Sequence, residues 1–164
     1  MLLPYYPWVT FEMGRLHALV GSADCLGALL SDPPVARFPV ACICPQTSVL
    51  VGQLNPAVHR CRTVRVRSLR ELLHALSCAR EALVVVEHAP ALYGEDGAAL
   101  RHLSHLLRER AAFAMVVLYA PAFDPALVRL ADRADRLFTF IGGETTVPAA
   151  RRTLQPGQLT LTGL

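Results

Sequence analysis

A carboxylate and an imidazole stand side by side where a strongly apolar segment ends. Glu87 and His88 close the run that begins at residue 83, whose apolar, mostly β-branched residues predict a strand buried on both faces. A carboxylate leaving such a strand is partly desolvated, which raises its pKa. The pair could therefore act as a general acid and base at a sheet edge. The alternative is a strand-end acid that is solvated or hydrogen-bonded to a neighbouring loop.

Two pairs of potential metal ligands occur at a spacing of two residues. They are Cys42 with Cys44 and His59 with Cys61. On strands, each pair would point to one face, and three cysteines with one histidine would suit zinc. The spacing is not that of the usual zinc motifs, and buried free cysteine is a common small apolar residue. We therefore favour core packing and predict no metal site.

The other candidate nucleophiles and ligands lack partners in the sequence. Ser22 follows Gly21 without an assignable base, and no Gly-x-Ser-x-Gly motif occurs. His102 and His105 lie three residues apart on a predicted helix, where they would be neighbours. We interpret them as a surface pair, with metal binding as the alternative.

Arginines concentrate in one part of the chain. The densest group consists of Arg60, Arg62, Arg65, Arg67 and Arg70. On the exposed face of a strand and the start of a helix, they could bind nucleic-acid phosphates or an acidic protein surface. Stacking aromatic residues are absent from the group, which favours a solvated face that protects a sheet edge from aggregation.

Composition indicates a folded chain in a reducing compartment. With 164 residues, 53% hydrophobic and 18% charged, the chain can bury a full core, and we predict that residues 1–164 form a single domain. Five cysteines, an odd number, argue against a disulfide framework. Since no apolar run reaches the ~18 residues of a membrane span and the start lacks a signal-peptide pattern, we expect no membrane association and a cytoplasmic location.

Strands and helices alternate along the predicted elements. The predicted strands cover residues 14–21, 38–44, 62–67, 83–87, 113–119 and 137–141, and the predicted helices cover 24–30, 68–80, 98–110 and 125–134. Ser68 and Asp124 are predicted to cap the helices at which they stand. This alternation predicts an α/β fold of three layers, with a mainly parallel sheet covered by helices on both faces. The alternating segment 158–162 predicts antiparallel strands added at one edge near the carboxyl terminus. Ligands of such sheets bind at the carboxyl ends of the strands.

This order of elements resembles the RecA-like core of the P-loop ATPases, the group of strand-exchange recombinases and circadian-clock ATPases. Residues 15–21 look like the strand that leads into a phosphate loop, and residues 83–87 look like a Walker B strand. Residues 124–137 are similar to the segment by which many of these proteins enter their fifth core strand. The resemblance covers roughly residues 11–141, and it implies a RecA-like P-loop fold.

The positions that would do the chemistry of this family have changed. Counting from Gly21, the second glycine, the lysine and the hydroxyl of a phosphate loop fall on Leu26, Gly27 and Ala28. The sequence has sixteen arginines and no lysine, so no other alignment restores the cation that phosphates need. The resemblance places the Walker B acid at Glu87 and the catalytic glutamate at Gln46, which cannot accept a proton from water.

We therefore predict a RecA-like domain that has lost catalysis and works in protein interaction or regulation, with an active ATPase partner or by self-association. A vestigial loop of Gly21, Ser22, Asp24 and Gly27 marks the former nucleotide site, and Glu87 and Gln46 are vestigial catalytic positions. No cofactor is expected. Three alternatives are a DNA-binding accessory of recombination or repair that uses the arginines, a sensor that binds ATP without hydrolysing it, and a hydrolase using Glu87 and His88.

Overall fold

The computed structural model describes residues 9–54, 60–94 and 96–140, and its elements alternate as the sequence predicts. The strands are β1 (Leu16–Val20), β2 (Val40–Pro45), β3 (Cys61–Val66), β4 (Leu83–Glu87), β5 (Met115–Ala120) and β6 (Arg136–Thr139). The helices are α1 (Ala23–Leu30), α2 (Pro33–Ala36), α3 (Leu50–Gln53), α4 (Leu69–Cys78), α5 (Pro90–Tyr93), α6 (Gly97–Ala111) and α7 (Pro125–Ala131). None of the helices in these ranges is long and apolar enough to cross a membrane.

The six strands form one parallel sheet in the order β3-β2-β4-β5-β1-β6. β4 lies in the interior, between β2 and β5, and all of Leu83, Val84, Val85 and Val86 are buried. β5 separates β4 from β1. Because all strands run the same way, the segments that follow them lie at one carboxyl edge.

Side chains of each strand alternate between two apolar layers. Val84 and Val86 point into one layer, where they meet leucines of α4, α6 and α7 such as Leu103. Leu83 and Val85 point into the other, with leucines of α1 and α3. The predicted three-layer α/β fold is therefore confirmed.

Helix starts follow local capping chemistry. Ser68 accepts a hydrogen bond from the Glu71 N–H at 3.2 Å, and Asp124 accepts one from the Leu127 N–H at 2.7 Å, as the sequence predicts for these two caps. Pro125 occupies the first position of α7, where a missing N–H costs little.

The structure differs from the prediction in several short segments. Three helices of four residues each, α2, α3 and α5, lie where the sequence predicts no helix. β5 begins at Met115 rather than at residue 113, because Phe113 sits in the turn after α6 with 76% of its surface exposed. Helix α7 ends at Ala131, not at residue 134. The predicted antiparallel strand at 158–162 lies outside the described residues.

Candidate functional site at the carboxyl edge of the sheet

The turn between β1 and α1 is much shorter than a phosphate loop. β1 ends at Val20 and α1 begins at Ala23, so only Gly21 and Ser22 lie between them. Both are members of the predicted vestigial loop. The other two members lie inside α1, with Asp24 exposed in its first turn and Gly27 buried.

Other groups of the protein form hydrogen bonds with this turn. The Gly21 N–H donates to the Ala120 carbonyl at 3.0 Å, and the Gly21 carbonyl accepts from the Tyr119 hydroxyl at 3.1 Å. The Ser22 hydroxyl accepts from the Cys25 N–H at 3.3 Å. A Cβ added to Gly21 would lie 3.0 Å from the Phe140 Cβ. The turn is therefore packed and hydrogen-bonded within the fold.

Glu87 ends β4 and is held by the loop that follows β2. Its carboxylate accepts a short hydrogen bond from the Ser48 hydroxyl, and the same hydroxyl accepts from the Leu50 N–H at 3.0 Å. Burial raises the pKa of Glu87, although the Ser48 hydrogen bond and the positive charge of Arg65 oppose the rise. The predicted direction of this pKa shift, and burial as its cause, agree with the geometry.

Gln46 lies in the same loop, and its side chain is exposed to solvent. The loop is held through the backbone of Gln46. Its N–H donates to the Val66 carbonyl at 2.9 Å, and its carbonyl accepts from Arg65 Nη1 at 3.1 Å. The same guanidinium nitrogen donates to the Ser48 carbonyl at 3.0 Å. Arg65 therefore fastens the loop that positions Ser48 against Glu87.

His88 turns away from Glu87 into a separate polar network. Its Nε2 lies 2.6 Å from Asp124 Oδ2, and its Nδ1 lies 2.5 Å from the Tyr93 hydroxyl. The Tyr93 oxygen also accepts from the Ala89 N–H at 3.1 Å. The tyrosine can therefore donate to Nδ1 while Nε2–H donates to the carboxylate. Both ring nitrogens are occupied, and 7% of His88 is exposed.

The geometry of this network indicates a structural role rather than a catalytic one. It joins the end of β4 to α5 and to the cap of α7, and it leaves His88 no free nitrogen for a substrate. Burial raises the pKa of Asp124, but the Leu127 N–H and His88 outweigh burial, so that the net shift is downward. Burial raises the pKa of Tyr93. Sequence reasoning identified Asp124 as a helix cap but missed its pairing with His88, and it gave no signal for Tyr93.

The structure divides the predicted arginine group. All five arginines are exposed, but the alternation of β3 places Arg62 and Arg65 on opposite faces of the strand. Arg62 pairs with Glu81 through Nε at 2.5 Å and Nη2 at 3.0 Å, and this pairing lowers the pKa of Glu81 to about 2. Arg60 precedes β3 at the amino edge, whereas Arg67 and Arg70 follow it at the carboxyl edge.

The cysteines of β2 and β3 cluster on one face, as predicted. Cys42 and Cys44 are fully buried, and Cys61 is partly buried. Interaction with the neighbouring thiols raises the pKa of Cys42 and lowers that of Cys44 to about 7. His59 lies outside the described residues. Within the described ranges, no group of three or more histidines, cysteines and acids has a geometry suited to a metal ion.

The helical histidines lie at the surface. His102 is exposed, and His105 Nε2 lies 3.4 Å from Glu109 Oε1, with 72% of the His105 side chain exposed.

Comparison with solved structures identifies the fold. The chain is similar to the flagellar accessory protein FlaH from Methanocaldococcus jannaschii, with a TM-score of 0.58 and 13% identity over 82% of this chain and 76% of that one. A protein from Pyrococcus horikoshii OT3 gives a TM-score of 0.51 and 8% identity over 89% of this chain and 90% of its own. No protein-family model and no curated protein matches the sequence. The chain has a RecA-like α/β fold.

Proposed function

We propose that this chain is a RecA-like domain that does not hydrolyse nucleotide and acts as a protein-interaction or regulatory module. The two-residue turn from Gly21 to Ser22 carries the proposal. A phosphate loop binds its ligand through free backbone N–H groups, a lysine and a hydroxyl on Mg²⁺. Here the Gly21 N–H is bonded to Ala120 and the Ser22 hydroxyl caps its own helix.

Charge supports the same conclusion. The sequence has no lysine, and neither the Gly21–Ser22 turn nor α1 contains an arginine. A nucleotide triphosphate is strongly anionic, and this part of the chain offers no cationic side chain to bind it. Glu87 is engaged by Ser48, and Gln46 does not supply a general base.

The division of the arginine group weighs against the DNA-binding alternative. Phosphate contacts need several free cations along one surface. Arg62 is paired with Glu81, Arg65 is bonded to two backbone carbonyls, and the remaining arginines sit at opposite ends of β3.

Calorimetric titration with MgATP and MgADP tests the proposal directly. We expect no saturable heat and no thermal shift, whereas a ligand at 100 times its Kd would stabilise the fold by about 2.7 kcal/mol. Saturable binding without turnover would replace the proposal with the nucleotide-sensor alternative. Mg²⁺-dependent ATP turnover by pure protein would end it.

A further inference from the structure

Three arginines converge on one acid at the amino edge of the sheet, the edge from which the parallel strands start. Arg62 pairs with Glu81 through Nε and Nη2 of its guanidinium. Arg110, in the last turn of α6, donates from Nη2 to the Glu81 carbonyl at 2.9 Å. Arg80 precedes Glu81 in the chain, is exposed, and forms no ion pair among the described residues. Positive charge therefore exceeds negative charge where β4 begins.

This excess of positive charge is not neutralised by the neighbouring acid of α6. Burial and the nearby charge of Arg80 lower the pKa of Arg110, as expected for two cations held close to each other. The Arg110 Nε is buried and has no hydrogen-bond partner among the described residues. Glu109, the acid next to Arg110, lies 3.4 Å from His105 on the exposed side of the helix. A carboxylate from outside the chain would meet two cations that lack an ion pair.

Exposed apolar side chains lie beside these arginines. Phe113 is 76% exposed in the turn between α6 and β5, and its N–H donates to the Arg110 carbonyl at 3.1 Å. Met13 is 54% exposed in the segment that leads into β1. The Gly14 N–H donates to the Ala114 carbonyl at 3.3 Å, which joins the two segments. Phenylalanine, methionine and arginine together are the residue types that protein interfaces favour.

The charges along the rest of the amino edge favour a protein segment over a nucleic acid. Toward β1 and β6, Glu12 lies 2.6 Å from one arginine nitrogen and Asp135 lies 3.0 Å from another. A nucleic-acid strand carries a phosphate at every residue, so it would run from the arginines onto these carboxylates. A protein segment can place its carboxylates at Arg80 and Arg110 alone and an apolar side chain at Phe113.

We propose that the amino edge at β4 and β5 binds an acidic segment of a partner protein, with carboxylates on Arg80 and Arg110 and an apolar side chain against Phe113. This proposal rests on the interaction role proposed above and names the chemistry of the partner. Since few residues form the surface, we expect weak, salt-sensitive binding in which the exposed aromatic ring and the arginines contribute most.

Fluorescence anisotropy with labelled peptides tests the proposal on the full chain. The probe is a short peptide of repeated Asp-Glu-Leu, and repeated Asp-Glu-Ser of the same length is its charge-matched control. The leucine peptide should bind saturably at low salt and more weakly as salt rises. The serine peptide should bind roughly threefold more weakly or worse, because it brings no apolar side chain to the aromatic ring.

Arginine variants locate the binding surface. Arg80→Gln/Arg110→Gln should weaken binding of the leucine peptide by roughly tenfold or more, because charge-assisted hydrogen bonds are lost. Arg67→Gln/Arg70→Gln removes the same charge from exposed positions at the carboxyl edge and should change binding by less than about twofold. Glu81→Gln should tighten binding, since it removes the acid among the arginines, and damage to the fold would not produce tighter binding.

A phenylalanine variant tests the apolar contact. Phe113→Ser should remove the preference for the leucine peptide over the serine peptide. Phe123→Ser, at a carboxyl-edge site that is 47% exposed, should keep this preference. Circular dichroism of each variant checks folding.

Absence of saturable binding by the leucine peptide would overturn the proposal, as would equal weakening by the two arginine pairs. An oligothymidylate that binds more tightly than the peptide through Arg80 and Arg110 would assign the surface to nucleic acid and overturn it too. ATP binding or turnover would refute the proposed function itself. A failed peptide titration beside a blank nucleotide titration would leave that function standing and remove only this partner.

Discussion

At the scale of single residues, His17 is a histidine that β1 buries completely within the sheet. It is 0% exposed, its ring stacks on Phe138 at 6.1 Å, and Phe11 meets it edge-on at 5.4 Å. Nε2 accepts from the Glu12 N–H at 3.3 Å, while Nδ1 has no well-directed hydrogen-bond partner among the described residues. Burial lowers the pKa of His17 from 6.5 to about 4.

This burial predicts acid sensitivity. The unfolded chain takes up a proton at His17 below about pH 6.5, and the folded chain does so only near pH 4. Stability is therefore fully present at neutral pH and falls as the pH drops between these values, by about 2 kcal/mol from pH 7 to pH 5. Urea unfolding at the two pH values measures the loss.

The variant His17→Phe keeps a ring in the stack and removes the titration. We expect its stability to change less between pH 7 and pH 5 than that of the unaltered chain. His105→Gln, at a site that is 72% exposed, is the control and should keep the full loss. Equal pH dependence in all three proteins would contradict this account of His17.

The pairing of His88 with Asp124 leads to a second residue-scale prediction. Asp124→Ala removes the cap of α7 and leaves His88 Nε2 without its partner. We expect a loss of about 2–3 kcal/mol in the free energy of unfolding. Asp132→Ala, at the exposed end of α7, should change stability by less than about 0.5 kcal/mol. Chemical denaturation compares the two, and similar small losses would contradict a network that fastens three segments.

At the scale of elements, the junction of β1, β6 and α1 depends on a glycine. Gly21 lies beneath Phe140, whose N–H donates to the Val20 carbonyl at 2.8 Å. Because the nearest atom to a Cβ at Gly21 is the Cβ of Phe140, rotation of the Phe140 side chain would not relieve the contact. The absence of a side chain at Gly21 therefore serves packing between the strands.

Gly21→Ala should accordingly destabilise the fold by about 1–2 kcal/mol, because the new methyl meets Phe140 at 3.0 Å. Gly52→Ala in α3 is the matched control, since an added Cβ there has nothing within 4 Å and alanine favours helix. Thermal unfolding of the two variants measures the difference. A phosphate-binding role for Gly21 would instead show as lost nucleotide binding with stability unchanged.

At the scale of the whole molecule, the fold brings loops from distant parts of the chain to one edge. Residues 21, 48, 88 and 124 are widely separated in sequence, yet their loops adjoin because the strands before them are parallel neighbours. The RecA-like fold thus retains the edge where ligands of such sheets bind. Side chains at this edge, such as Glu87 and His88, bond to other groups of the same chain.

The sequence by itself determined the layers and the order of the elements. A continuous apolar run such as residues 83–86 indicates a strand that is buried on both faces. Helix caps such as Ser68 and Asp124 bond within one turn of chain, so the local sequence is enough to predict them. The absence of lysine likewise follows from the sequence alone. These features depend on periodicity, short-range hydrogen bonding or composition.

Only the tertiary structure decided which side chains meet. Glu87 and His88 are adjacent in sequence, but they pair with Ser48 and with Asp124 and Tyr93, at sequence separations of 39, 36 and 5 residues. The alternation of β3 places Arg62 and Arg65 on opposite faces, where Arg62 meets Glu81 and Arg65 meets the carbonyls of the loop after β2. Successive residues of a strand point to opposite faces, and their partners come from whichever strands lie alongside. Contacts of this kind are fixed by packing between distant segments, which local pattern does not encode.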